Sequence, residues 1–190
     1  IAYWLAFIIV GALVGSAFIP SFSIGSVTVN AAGFIVPVAL AVLFFVLSGK
    51  TREAGHSIVA ASAVLSVYVA VRLLLSMVVM DTIVSIIAGI LCGATAFVVG
   101  KTKLAALSGV FAGVPLGVVT STVVEMISYG TPIQLGSPAV FDVVVLAAVF
   151  AVVIFEIVAA VKRASNAKRS VAAEAAEEFD PEEYKKYFDE

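Results

Sequence analysis

Six apolar stretches alternate with short polar connections along the chain, at 2–19, 31–48, 57–80, 82–99, 104–129 and 140–161. Each is about 18–25 residues long, the length that carries a helix across a ~30 Å hydrocarbon core. No ten-residue alternation recurs, so the pattern predicts spanning helices rather than a barrel. The expected fold is an all-α membrane protein. A six-helix transmembrane domain would fill 1–163, and a cytoplasmic charged helical tail 164–190.

The connections carry more information than the spans. Lys50 and Arg52 lie between the second and third stretches, Lys101 and Lys103 between the fourth and fifth, and Lys162, Arg163, Lys168 and Arg169 after the sixth. The connections at 20–30, at Asp81 and at 130–139 hold no Lys or Arg. Basic loops on alternate sides predict the cytoplasmic membrane with both termini inside. The outer loop 20–30, PSFSIGSVTVN, alternates and predicts a short hairpin over the bundle. Gly33 and Pro37 predict a kinked or late-starting second helix. Beyond Arg163 the helix is expected to run on through the Ala-rich 164–178 and fray. Asp180-Pro181-Glu182-Glu183 then reads as a fresh helix start, with Tyr184, Tyr187 and Phe188 on one side.

Composition agrees and narrows the chemistry. The chain is 62% hydrophobic and 13% charged, against about 25% charge in a soluble domain. No basic face offers itself to nucleic acid. The single cysteine, Cys92, excludes an intrachain disulfide and a multi-cysteine metal site, and lies mid-span as a small packing residue. His56 stands alone in a charged loop. No phosphate-binding loop and no HExxH appears. No catalytic residue, metal site or cofactor is therefore assigned. The expected partners are the lipid bilayer, further copies or other membrane subunits, and a small solute or ion.

Two features suggest more than a passive bundle. IIVGALVG at 8–15 and IIAGILCG at 86–93 share five of eight positions at an offset of 78, which also carries Pro37 onto Pro115. Two three-helix halves would insert with opposite topology, the pattern of transporters whose sites lie between repeats. The alternative is that small-residue pairs recur only for close packing. The second feature is the stretch 104–142, with Gly109, Gly113 and Gly117, the polar run Thr120-Ser121-Thr122, Glu125, and then Asp142 at the start of the next span.

Arg72, Glu125, Asp142 and Glu156 are the ionisable residues inside the spans, each costing roughly 2.5–3.5 kcal/mol at a helix centre. Counting 1.5 Å per residue from 57, Arg72 stands ~22 Å above the inner boundary; Glu125, counted from 104, stands at ~32 Å. Asp142 begins its helix on that side, with Asn30 and Asp81 at similar depth. One reading is an outward-facing polar pocket lined by Asn30, Arg72, Glu125 and Asp142, with Arg72 held by Glu125, Asp142 or both. The other is that the carboxylates sit in interfacial water and Arg72 snorkels. Glu156, in the inner third of the last span, reads as an interface position.

Val29-Asn30-Ala31-Ala32-Gly33-Phe34-Ile35-Val36-Pro37 and 136–142 resemble a family of uncharacterised prokaryotic multi-spanning membrane proteins. In that family an Asn-x-Gly-Gly-x-x-Ile-Pro stretch opens the second helix, and a Gly-rich turn ending Phe-Asp opens the last. Asn30, Gly33, Pro37 and Phe141-Asp142 fit. The family's Gly-Ala-Asp reads here Gly117-Val118-Val119, without its carboxylate. The resemblance spans the six stretches, not the tail, and implies no activity. The chain is more weakly similar to substrate-binding membrane subunits of energy-coupling vitamin transporters. The leading expectation is a transporter-like or solute-binding membrane protein. A structural subunit of a larger assembly, docking through GxxxG faces and the aromatic tail, is the alternative. An intramembrane hydrolase ranks third, since aspartyl chemistry needs two facing Asp residues and the spans hold one.

Overall fold

The computed structural model describes residues 21–25, 27–75, 79–136 and 138–177; within these, the side chains at 24, 31–32, 138–139, 141–142 and 170–177 lie outside the description. The first apolar stretch with Gly11 and Gly15, and the tail segment 181–188, fall outside the described residues. The second to sixth stretches form α1 (Val36–Lys50), α2 (Ala54–Leu75), α3 (Asp81–Gly100), α4 (Lys103–Tyr129) and α5 (Pro138–Glu177). Five helices are long and apolar enough to cross a membrane, the first of them counted from Gly33 in the turn before α1. The chain divides into two units, Ile1–Ile154 and Phe155–Glu190. In the second, the described residues are helical to Glu177, as expected of the Ala-rich tail.

Local chemistry sets the helix ends. A π-helical turn, Ala31–Ile35, leads into α1. Asn30 Oδ1 accepts the Gly33 N–H at 2.8 Å and so satisfies one of the donors that a helix start leaves open. Pro37 stands in the first turn of α1, where a missing N–H is harmless. The expected irregularity at Gly33 and Pro37 thus takes the form of a π-helical turn that runs directly into α1. Pro115, by contrast, lies inside α4. The 78-residue offset therefore does not place the two prolines alike in their helices. At the start of α4, Thr102 Oγ1 accepts the Ala105 N–H at 3.2 Å and donates to Glu53 Oε2 at 2.6 Å. That bond ties the start of α4 to the residue just before α2.

From this tie α2 and α4 run parallel in constant register. A Cβ added to Gly109 would lie 2.6 Å from the Ala60 Cβ, one on Gly113 2.7 Å from the Val64 Cβ, and one on Gly117 2.6 Å from Tyr68 Cδ1. Each pair is separated by 49 positions, as Glu53 and Thr102 are. The glycines let the two backbones approach to a distance that no side chain would permit. Gly89 and Gly93 of α3 meet Leu146 and Ala147 of α5 in the same way. Buried Cys92 donates weakly to Val64 O at 3.8 Å, and Phe44 stacks on Phe111 with centroids 5.3 Å apart. The expectation that these spacings face other helices is met for α3 and α4.

The all-α expectation needs one addition. Strands β1 (Ser21–Ile24) and β2 (Val27–Asn30) form the expected antiparallel hairpin, turning at Gly25 with φ +63°. A third strand, β3 (Ile133–Leu135), pairs parallel to β2, Val27 opposite Ile133. Three residues are too few to show an alternation, so β3 left no signal in the sequence. Thr122 Oγ1 donates to Gln134 O at 3.3 Å and fastens this strand to α4.

Candidate functional site

Arg72 occupies the last turn of α2 and Asp81 the first turn of α3. Each charge sits at the helix end whose dipole favours it. Arg72 Nη1 donates to Asp81 Oδ1 at 3.0 Å, and Arg72 Nε lies 3.7 Å from Glu125 Oε1. The first is a hydrogen-bonded ion pair; the second is a Coulombic contact beyond hydrogen-bond length. The Arg72 and Glu125 side chains are each 32% exposed, and that of Asp81 is 74% exposed.

The register explains why Arg72 can reach Glu125. The sequence estimate left a vertical gap of ~10 Å because it began the third stretch at 57. Helix α2 begins at Ala54 beside the start of α4, so Arg72 lies level with Ser121, four residues before Glu125. One helical turn, ~5.4 Å, separates the two Cα levels, within the span of an arginine side chain.

These charges open onto a cavity of 440 Å³ in the first unit. Tyr68 and Arg72 come from α2, Asp81 and Ser85 from α3, Ser121, Thr122 and Glu125 from α4, and Thr131, Pro132, Gln134 and Gly136 from the segment around β3. Gly136 adopts φ +79°, and a Cβ there would lie 2.9 Å from Gly33 C, so this wall of the cavity packs directly on the π-helical turn. The hydroxyls are oriented by the backbone. Ser85 donates to Asp81 O at 2.9 Å, Ser121 to Val118 O at 3.1 Å, and Thr122 to Gln134 O as above.

The four expected site residues divide. Arg72 and Glu125 come together as expected. Asn30 is not in the cavity lining: its side-chain oxygen is engaged by Gly33 N–H in the turn before α1. The side chain of Asp142 lies outside the described residues, although Val140 and Val143 on either side line the cavity. The observed second partner of Arg72 is Asp81, which sequence reasoning placed only at similar depth. Its signal was available: it lies nine residues after Arg72 and opens the adjoining helix. Tyr68 and Ser85 were missed, whereas Ser121 and Thr122 belong to the polar run already singled out in the sequence but were not assigned to the site. All four fall one helical turn from the charges on their own helices, and that step could have found them. Among the described residues, no three His, Cys, Asp or Glu side chains gather as a metal site.

Compared with protein-family models, curated proteins and solved structures, the chain has no match.

Proposed function

We propose that this multi-pass membrane protein binds a small polar solute or ion in an outward-facing cavity and acts in a transporter-like way. The observation that carries the reading is Arg72 bridging Asp81 and Glu125 at the wall of a 440 Å³ cavity of mixed polar and apolar lining, among helices apolar enough to span a membrane. Ionisable groups at such depth are costly, and ones that line a cavity mark substrate or ion pathways. The volume falls within the roughly 300–1,000 Å³ usual for small-molecule sites. The alternation of basic loops supports the cytoplasmic membrane, both termini inside and the cavity facing out. The glycine faces that a structural subunit would offer to partners are filled in α3 and α4 by helices of the same chain.

A thermal-shift screen of detergent-purified protein against ions and small metabolites tests the reading. The structure supplies the reporter: Cys92, the only cysteine, is fully buried, so a thiol-reactive fluorophore signals unfolding. A stabilising solute is expected whose effect vanishes in the Arg72→Met, Glu125→Gln double variant. A screen with no such solute rejects the proposal.

A further inference from the structure

The polar inventory of the cavity points to the charge class of its ligand. Two carboxylates and one guanidinium line it, a formal balance of −1 among the described lining residues. Arg72, the group an anion would need, is engaged: Nη1 donates to Asp81 and Nε faces Glu125. An anion would meet a guanidinium already countered by two carboxylates, one of which it would have to displace. Each carboxylate, in contrast, meets Arg72 through one oxygen, Asp81 through Oδ1 and Glu125 through Oε1, and has lone pairs beyond those that this contact uses.

The hydroxyls lean the same way. A serine or threonine hydroxyl has one proton to donate and two lone pairs to offer. In Ser85, Ser121 and Thr122 that proton goes to a backbone carbonyl, so what faces a ligand is lone pairs. Tyr68 O–H, Thr131 O–H, the Gln134 amide and the outer N–H groups of Arg72 remain as donors, all of them on neutral or countered groups. A bare metal ion fits poorly. Calcium and magnesium call for six or more oxygen ligands, and a fixed guanidinium would lie beside the site. The volume is also many times the ~30 Å³ share of one water.

We infer that the cavity selects a small organic cation bearing at least one ammonium group, held by the carboxylates of Glu125 and Asp81 and by the hydroxyl lone pairs of Ser121 and Thr122. The inference rests on the reading of the cavity as a solute site and adds the class of solute.

The test uses three four-carbon probes that differ in charge: 1,4-diaminobutane, 1,4-butanediol and succinate, at matched ionic strength. Melting of the full chain in detergent is followed through Cys92. At saturation the diamine is expected to raise Tm by about 5 °C, the scale set by tight occupancy of one site in a protein of this size. Diol and succinate should leave it unchanged. Glu125→Gln should abolish the diamine shift, and Ser121→Ala should weaken it. Should Glu125→Gln fail to purify folded, Thr122→Val serves in its place, with a weakened shift expected. A succinate shift without a diamine shift overturns the cation assignment while leaving a solute site standing. An equal diamine shift in wild type and variant assigns the effect to the surface and overturns the inference. No shift with any of the three probes overturns it as well; the proposed function then stands or falls on the wider metabolite screen.

Discussion

Replacing Arg72 by methionine and Glu125 by glutamine, singly and together, measures what the central contact contributes. At 3.7 Å two unit charges attract by about 4.5 kcal/mol at an effective dielectric of 20 and about 1 kcal/mol in water. Both side chains are one-third exposed, so the true value lies between these limits. Fixing two long side chains offsets a further part. A coupling of about 1–2 kcal/mol is expected for Arg72–Glu125. Arg72–Asp81 is shorter, but its carboxylate is 74% exposed, so its coupling should stay within ~1 kcal/mol. Arg72→Met alone should therefore destabilise measurably, and the added Glu125→Gln should recover part of the loss by removing the stranded carboxylate. Unfolding of the purified protein in mixed micelles, read as a double-mutant cycle, gives both couplings. A coupling below about 0.3 kcal/mol for Glu125, or one smaller than that for Asp81, would refute the reasoning from exposure and register.

Two further outcomes follow from the packing, and a third from the loop charges. Gly113→Ala should destabilise by about 1–3 kcal/mol, because its Cβ would lie 2.7 Å from both Ala61 O and the Val64 Cβ and must push α2 from α4; an unchanged Tm would contradict the close approach. Thr102→Val should cost about 1–2 kcal/mol by removing the cap of α4 and the 2.6 Å bond to Glu53, whereas Thr102→Ser should keep most of it; equal losses in the two would deny the hydroxyl its role. In a Cys92→Ala background, Ser26→Cys and Ser137→Cys should label from outside intact cells, and labelling only after lysis would reverse the proposed orientation.

Where the helices lie was legible because the hydrophobic effect and backbone hydrogen bonding act locally. Twenty apolar residues in a row suffice to predict a span, Gly33 and Pro37 mark an irregular helix start through their own chemistry, and the alternation at 20–30 forms its hairpin by short-range pairing. The four-residue spacing of Gly109, Gly113 and Gly117 announced a close approach, but not its partner. The partnership of α2 with α4, and the 49-residue register that the Glu53–Thr102 bond and the glycine contacts maintain, arise between segments distant in sequence. That register places Glu125 one turn above Arg72, and the short α2–α3 connection brings Asp81 to the same guanidinium. The same long-range packing seats β3 on the hairpin and so brings Gln134 and Gly136 to the cavity. Asn30 shows the converse: it was chosen for its depth in the membrane, but a backbone N–H three residues away was nearer than any distant charge, and local hydrogen bonding claimed it.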